Sequence, residues 1–159
     1  MIRQATTADA KAITEIYNHY ILNSTITFEE ETLDQQTMEG RINSSGKMFW
    51  WVFEEEEQIV AYAYPSQWKP RSAYRYTVES SVYVAPKHQR RGIGLQLYKH
   101  LIQALKEEVF HSVLAGIALP NAQSISFHEK LGFKQVGQLE EVGFKFNQWI
   151  DVGYWELKL

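Results

Sequence analysis

A basic segment with two glycines lies between a predicted strand and a predicted helix. Residues 89–94 read Gln-Arg-Arg-Gly-Ile-Gly, after a strand that ends near Val84 and before a strongly amphipathic helix. Glycine lets the backbone approach an anion closely, and the free N–H groups and positive dipole end of a helix N-terminus favour phosphate. The spacing indicates a phosphate-binding loop, although an ordinary basic loop with two turn glycines has the same letters.

Two common nucleotide-binding motifs are missing from residues 89–94. The segment lacks the terminal Lys-Ser/Thr pair of a P-loop and the third glycine of a dinucleotide-binding fingerprint. The remaining interpretation is a pyrophosphate held by backbone amides without a metal ion.

Composition limits the chemistry open to the chain. Its 159 residues, 45% of them hydrophobic, suffice for one hydrophobic core, which predicts a single domain over residues 1–159. A formal net charge of -3 gives no electrostatic reason to bind nucleic acid or an anionic membrane. Because the chain has no cysteine, disulfides, thiolate metal sites and an acyl-cysteine mechanism are excluded.

The distribution of apolar residues predicts a cytoplasmic, soluble protein. No stretch sustains about 18 apolar residues, the minimum for a membrane-spanning helix, and the first residues carry no apolar targeting segment. Aromatic residues reach 14% of the chain. We expect them in the core and on a dimer surface rather than in a binding cage.

Hydrophobic periodicity predicts the elements that position the basic segment. The order is β-α-α-β-β-β-α-β-α-β-β, an α+β sheet with helices on its faces. A second helix is expected to end at Gly46, and the acidic run 54–57 is expected to be a solvated turn. The predicted strands are 2–5, 48–53, 59–64, 77–84, 113–119, about 134–143 and 150–158. Four helices are predicted: one after residue 9, one at 33–42, one from Gly94 to Val109, and one after Asn121.

Three of these elements carry sharper local signals. In strand 77–84, the predicted alternation puts Val78, Val82 and Val84 near one face of the sheet. Glu79 and Tyr83 should lie on the other face. Asn121 is a candidate N-cap, and the glycine of Leu131-Gly132-Phe133 is typical of a helix C-terminus. The helix before them shows the strongest apolar stripe in the chain, formed by Leu97, Tyr98, Leu101, Ile102, Leu105 and Val109.

The basic segment, the stretch 121–133 (NAQSISFHEKLGF) and the order of elements resemble the GNAT superfamily of N-acetyltransferases. That superfamily has a glutamine or arginine followed by two spaced glycines at the start of a central helix. The resemblance covers essentially the whole chain. It implies a mixed, mainly antiparallel seven-stranded sheet with helices on both faces.

Longer strings resemble the phosphinothricin N-acetyltransferase family more specifically. They are IYNHY at 16–20, STITF at 24–28, QWKPRSAY at 67–74, TVESSVYV at 77–84, and GFK at 143–145 followed by DVG at 151–153. This resemblance implies acetylation of the amino group of phosphinothricin, methionine sulfoximine or methionine sulfone. It also implies a homodimer with its sites near the subunit interface.

The resemblance implies acetyl-CoA as co-substrate and no metal ion. Backbone N–H groups after the fourth strand would hold the pyrophosphate, the strand itself would pair with the pantetheine arm, and the helix after residue 121 would line the far side. The implied coenzyme-binding residues are Val82, Tyr83, Val84, Gln89, Arg90, Arg91, Gly92, Ile93, Gly94, Leu95, Asn121, Ser124 and Lys130.

Glu79 and His128 are the implied catalytic residues. A model glutamate ionises near about 4.3 and an alkylammonium near about 10.4, so direct proton transfer is uphill by about 8 kcal/mol unless the site shifts both pKa values. A water relay, or binding of the neutral amine, would remove that barrier. The pKa of histidine, about 6.5, is a closer match. Many superfamily members have Tyr in place of His128, and the division of acid and base roles stays open.

Both residues also have a purely structural interpretation. Glu79 would then be a solvated or cross-strand-paired carboxylate, and His128 a helix-face histidine packed against the sheet. The family resemblance favours the catalytic interpretation of the pair.

The acceptor side is assigned by the same resemblance. Lys69, Arg71 and Tyr74 would anchor the acidic or sulfone-like group, Phe28 would form an apolar wall, and Glu79 would contact the amine. Without the string around them, Lys69 and Arg71 would be ordinary surface charges.

Three functional hypotheses follow from these residues. The first is direct acetyl transfer from acetyl-CoA to a small amino-acid analogue in a ternary complex. The second is a related acetyltransferase with a polyamine, antibiotic or protein amine as acceptor. The third is a non-catalytic acyl-CoA-binding sensor that uses the same phosphate-binding loop.

Overall fold

A computed structural model describes residues 1–44, 46 and 48–159, which form one seven-stranded sheet and four α-helices. The predicted order of elements, and the prediction of an α+β sheet, are confirmed. The strands are β1 (Ile2–Gln4), β2 (Trp51–Glu55), β3 (Gln58–Gln67), β4 (Thr77–Val84), β5 (Ser112–Ala118), β6 (Lys134–Lys145) and β7 (Gln148–Lys158). The helices are α1 (Ala10–Asn23), α2 (Gln35–Asn43), α3 (Ile93–Glu107) and α4 (Ala122–Lys130).

The strand order across the sheet is β1-β2-β3-β4-β5-β7-β6, and among the strand pairs of the described residues only β4–β5 is parallel. β4 pairs with β3 from Val78 to Val84, but with β5 only from Thr77 to Glu79. Beyond Glu79, the side of β4 that faces β5 therefore lies outside the parallel ladder. The central pair of strands opens into a cleft at this point.

Helices cover both faces of the sheet. On one face α3 packs on β2, β3 and β4, in a core that includes buried Leu97, Leu101 and Val113. On the other face α1 and α2 enclose an aromatic core that includes Trp50, Tyr62 and Tyr83. The predicted alternation of β4 is confirmed, because Val78 belongs to the first core and Tyr83 to the second.

The predicted boundaries are wrong at three places. α2 ends at Asn43, where the Ser44 amide donates to the Gly40 carbonyl, rather than at Gly46. The strand predicted from residue 48 begins at Trp51. Val109 is 60% exposed because α3 ends at Glu107, so this side chain lies past the last turn and outside the apolar stripe.

The predicted caps of α4 are confirmed. Asn121 Oδ1 accepts a hydrogen bond from the Ser124 amide at 3.0 Å. Gly132 has a positive φ of 91°, and its amide donates to the Glu129 carbonyl. These two contacts set where α4 begins and ends, and hence where its inner face meets the cleft. Across the described ranges, no helix combines the length and apolar character needed to span a membrane.

Candidate active site

The opening between β4 and β5 is a cleft of about 400 Å³. Its walls are the free end of β4, the loop that leads into α3, β5 and the first turns of α4. The cleft brings together most of the residues that the sequence implied for coenzyme binding or catalysis. Those on its wall are Val82, Tyr83, Val84, Gln89, Arg90, Gly92, Gly94, Leu95, Asn121, Ser124 and His128.

A buried hydrogen-bond chain closes the inner end of this cleft. Ser80 Oγ donates to the Leu114 carbonyl at 3.2 Å and lies 2.6 Å from the Tyr98 hydroxyl. The Ser80 side chain thus donates a hydrogen bond to a β5 carbonyl directly after the backbone pairing of the two strands stops. The residues of β4 beyond Ser80 face the cleft, where an extended ligand can pair with an open strand edge.

The N-terminus of α3 opens onto the outer end of the cleft. Its N-cap is Gly92, which has a positive φ of 79° and no side chain to cap the helix. In contrast, Asp34 caps α2 and Asn121 caps α4 through side-chain oxygens. The first-turn N–H groups of α3 are therefore left for a ligand, and an anion is the group they favour.

The glycine pattern also allows a close approach between α3 and β4. A Cβ on Gly94 would lie 3.1 Å from Cγ2 of Val84, closer than ordinary van der Waals contact. A larger residue at this position would require the Val84 side chain or α3 to shift. The cradle thus fits a pyrophosphate and an extended arm, the two parts of coenzyme A that the sequence implied.

The basic residues around this cradle are not equivalent. Arg90 lies on the cleft wall. Arg91 makes a bidentate ion pair with Glu55 at 2.8 and 3.0 Å. The acidic run is therefore more than a solvated turn. Arg91 lies off the cleft wall, as do the buried side chain of Ile93 and the exposed side chain of Lys130.

Glu79 lies at the vertex where β4 and β5 separate. Burial raises the pKa of its carboxyl, and a hydrogen bond from the Gly116 backbone partly opposes that shift. None of the ion pairs in the described part of the chain involves Glu79. A half-buried carboxylate without a basic partner is suited to bind a cationic group and to accept a proton from it.

His128 projects from α4 into the same cleft and is only 6% exposed. Its Nδ1 lies 2.8 Å from the Ser124 carbonyl, an acceptor, so Nδ1 carries the hydrogen and Nε2 holds the lone pair. Burial among the rings of Tyr98, Phe127 and Phe133 lowers the pKa of His128, and the bond to Ser124 acts against that shift. The imidazole is therefore neutral near pH 7.

A second cleft of about 330 Å³ adjoins the first. Glu79 and Phe28 lie on its wall, together with Val142 of β6 and Tyr154 of β7. The two clefts share the wall residues Ile26, Ser80, Ser81, Tyr83 and Gly116. Glu79 therefore lies on the wall of the second cleft, close to the wall that this cleft shares with the first.

Lys69, Arg71 and Tyr74 are not on the wall of either cleft. All three are exposed on the loop between β3 and β4. Lys69 Nζ lies 5.4 Å from the centre of the Trp68 ring, and that ring packs edge-on against Tyr154 at 5.2 Å. The loop thus reaches the second cleft through Trp68, while its cations stay at the rim.

Several wall residues escaped the sequence analysis. The Tyr20 hydroxyl donates to the Val84 carbonyl at 2.6 Å and accepts from the Gln89 side chain. A Cβ on Gly116 would lie 2.8 Å from Glu79 Oε1, so this glycine makes room for the carboxylate. A glycine inside a strand is the one signal that could have been read. Tyr20 lay within the quoted string 16–20 without being assigned a role, and Tyr154 carried no signal.

Comparison with known proteins agrees with this geometry. The family of the acetyltransferase (GNAT) domain matches residues 2–153. A phosphinothricin N-acetyltransferase of Streptomyces viridochromogenes is 43% identical over 98% of this chain and 85% of its own. The L-methionine sulfoximine/L-methionine sulfone acetyltransferase of Salmonella typhimurium is 38% identical over 99% of this chain and 94% of its own.

A solved structure shows the same architecture. The phosphinothricin acetyltransferase of Sinorhizobium meliloti, a GNAT protein solved in complex with acetyl-CoA, superposes with a TM-score of 0.94. The two chains are 33% identical, and the match covers 100% of this chain and 88% of the other. The resemblance inferred from the sequence is confirmed: the chain belongs to the GNAT acetyltransferase family, in the group with the phosphinothricin and methionine sulfoximine/sulfone N-acetyltransferases.

Proposed function

We propose that this protein transfers the acetyl group of acetyl-CoA to the amino group of a small amino-acid analogue of the phosphinothricin, methionine sulfoximine or methionine sulfone type. The observation that carries the proposal is Glu79, a half-buried carboxylate on the wall of the second of two adjoining clefts that makes no ion pair within the described part of the chain. Relatives named for these acceptors match nearly the whole chain. Residues 1–159 act as a single N-acetyltransferase domain in this proposal.

The long cleft is the coenzyme site in this proposal. The free N–H groups at the start of α3, with Arg90, hold the pyrophosphate, and the open edge of β4 pairs with the arm. Bound acetyl-CoA supplies an activated acetyl group as a thioester. Arg91 contributes little directly, since Glu55 neutralises its charge. Backbone N–H groups do not titrate, so acetyl-CoA binding through them should depend only weakly on pH.

Glu79 is the base that receives a proton from the acceptor ammonium. Its raised pKa reduces the difference between the pKa values of the carboxyl and the amine. For model groups that difference corresponds to an uphill proton transfer of about 8 kcal/mol. The same carboxylate attracts the cationic form of the acceptor before it is deprotonated. Both roles require Glu79 to be ionised when the acceptor arrives.

His128 is the second proton carrier. It is neutral near pH 7 with its lone pair on Nε2, because Nδ1–H is donated to the Ser124 carbonyl. A neutral imidazole fixed in one tautomer can take up a proton at Nε2 and release it again within the same turnover. The aromatic rings around it keep water away from this proton.

The short cleft binds the acceptor. Phe28 and Ile26 form its apolar wall, and Glu79 receives the amine. Lys69, Arg71 and Tyr74 stand at the rim, where they can attract the anionic or sulfone-like group of the acceptor. The cytoplasmic location expected from the sequence stays a prediction.

A homodimer is part of the proposal. The β6–β7 hairpin lies at the edge of the sheet and carries a cluster of exposed apolar side chains, which marks an interaction surface. Its continuity with Phe28 places it beside the acceptor cleft. The cluster comprises Val136, Leu139, Val142, Phe144, Phe146 and Trp149, each 48% exposed or more.

An acceptor panel tests the function directly. Purified protein with acetyl-CoA should acetylate methionine sulfone, methionine sulfoximine or phosphinothricin faster than polyamines, aminoglycosides or peptide amines, measured as free CoA release. A faster reaction with one of the other amines would move the protein to a different acceptor class. Binding of acetyl-CoA without CoA release from any amine would indicate a sensor.

Glu79→Gln should lower kcat by about 100-fold or more, because general base catalysis contributes factors of that size. Acetyl-CoA binding, measured by calorimetry, should stay within about twofold of the parent value since Glu79 faces the acceptor side. The exposed turn variant Glu57→Gln is the matched control. Equal kcat in Glu79→Gln and the parent protein would remove Glu79 from the mechanism.

The pH profile tests the same residue. Since Glu79 must be ionised and its pKa is raised, activity should rise with pH through a midpoint above the ordinary glutamate value of about 4.3. The residual activity of Glu79→Gln should lack this acidic limb. An acidic limb that persists unchanged in Glu79→Gln belongs to another group.

Arg90→Ala and Arg91→Ala form a matched pair. Arg90→Ala should raise KM for acetyl-CoA about fivefold, as expected for an exposed charge contact, and the effect should shrink at high salt. Arg91→Ala should change KM less than about twofold because Glu55 occupies its guanidinium. Equal effects of the two substitutions would contradict the assignment of the phosphate contact to Arg90.

Light scattering at micromolar concentration tests the dimer. The parent protein should scatter with twice the mass of one chain, and Trp149→Glu, which puts a charge into the apolar cluster, should shift it toward one chain. A parent protein with the mass of one chain would refute the dimer.

A further inference from the structure

We propose that Lys145 and Gly143 of β6 are positioning residues that hold the segment 24–28 as a wall of the acceptor cleft. We name this segment the acceptor loop. The inference rests on the proposed function, because the cleft that the loop lines is the one assigned to the acceptor. It assigns to the edge hairpin a role in positioning the acceptor loop. The sequence does not indicate this role, because the hairpin residues lie more than 110 positions from the loop.

Lys145 is a buried lysine whose ammonium is directed at the backbone of the acceptor loop. The residue is only 2% exposed, and its Nζ donates to the Ser24 carbonyl at 2.9 Å and to the Thr27 carbonyl at 2.8 Å. A third interaction is with the Phe146 ring, whose centre is 5.0 Å from Nζ. A buried ammonium is costly unless it is bound in this way, so the lysine and the loop constrain each other.

Burial and nearby charges act in opposite directions on Lys145. Burial lowers the pKa of the ammonium, whereas Glu30 and Glu29 raise it. These two glutamates continue the chain directly beyond the acceptor loop. The lysine therefore binds the loop near both of its ends through hydrogen bonds and attracts the residues that follow it through charge.

Gly143 provides the space for the Phe28 ring. A Cβ built on Gly143 would overlap three atoms of that ring. Phe28 is 40% exposed and lies on the wall of the acceptor cleft. Phe28 can thus pack this close to the backbone of β6 only because residue 143 has no side chain.

The opposite side of the acceptor loop is attached to α1. Ser24 donates to the Tyr20 carbonyl through both its amide, at 3.1 Å, and its hydroxyl, at 2.8 Å. Thr27 Oγ1 lies 2.8 Å from the Tyr17 hydroxyl. Just beyond the loop, Glu29 accepts from Arg41 at 2.8 Å and from Tyr17 at 3.0 Å.

The contacts on the two sides divide the groups of the loop into those bound by the protein and those left open to a ligand. The backbone carbonyls of Ser24 and Thr27 and the Thr27 side chain are held in the protein interior. Ile26 and Phe28 remain 48% and 40% exposed and face the clefts. The loop is therefore built like a fixed wall with two apolar side chains available to a ligand, which is what selection among small acceptors needs.

Lys145→Met tests the anchor, because methionine keeps the length of the side chain and removes the donors. KM for methionine sulfone should rise about tenfold while KM for acetyl-CoA changes less than about twofold, since the loss falls on the acceptor wall. Amide hydrogen exchange of residues 24–28 should accelerate by at least about tenfold. Lys134→Met, at the exposed other end of β6, is the matched control and should change neither quantity.

A double-mutant cycle tests the second contact. Gly143→Ala should raise KM for methionine sulfone in the parent protein. In a Phe28→Ala background the same substitution should have a much smaller effect, because the ring it displaces is gone. Additive effects of the two substitutions would show that residue 143 does not act through Phe28. Thermal unfolding of each variant separates loss of folding from loss of acceptor binding.

The two measurements separate this inference from the proposed function. If the parent protein acetylates none of the amino-acid analogues, the proposed function fails, and the exchange rates still decide whether Lys145 and Gly143 hold the loop. If the parent protein is active but Lys145→Met is folded with unchanged acceptor KM and unchanged exchange at residues 24–28, the anchor is refuted. If Lys145→Met does not fold, exchange at residues 24–28 in Gly143→Ala decides, and an unchanged rate there refutes the inference.

Discussion

The early end of the parallel pairing between β4 and β5 is the constraint on which the site depends. Two parallel strands that separate after Glu79 leave the edge of one of them open, and water or a ligand must satisfy it. Ser80 closes the vertex by donating to the Leu114 carbonyl. The opening then creates the long cleft, leaves Glu79 on the wall of the adjoining second cleft, and lets α3 and α4 contribute their N-terminal turns to the rim of the first.

Electrostatics near this vertex separates two kinds of group. Glu79 has no basic partner among the ion pairs of the described chain, and His128 is buried among aromatic rings, so burial disfavours the charged form of each more than its one backbone hydrogen bond favours it. In contrast, Arg91 is matched to Glu55. The Arg91–Glu55 pair is an ion pair, whereas the two groups proposed for proton transfer are held at reduced solvation. This division is what a proton-transfer site needs, because a paired carboxylate would be a poor base.

The acceptor side depends on contacts between distant parts of the chain. α1, the loop that follows it and the edge strand β6 meet around Lys145 and Gly143, and only their combined packing gives Phe28 its place on the cleft wall. The apolar outer surface of the same hairpin is the proposed dimer surface. Acceptor selection and self-association would then share one element, which agrees with sites close to a subunit interface.

Residue patterns along the chain were enough to predict the order of elements, the two-sided character of β4, the cap at Asn121 and the position of the basic glycine-containing loop before α3. These features depend on periodicity and on residues a few positions apart, which a linear pattern contains. Other features became visible only in the tertiary structure. They are the length of the β4–β5 pairing, the ion pair between Arg91 and Glu55, the rim position of Lys69 and Arg71, and the contact of Lys145 with the acceptor loop. Each of these depends on strand register and on contacts between residues far apart in the chain, because side-chain patterns show which face of an element is buried but not which distant group packs against it.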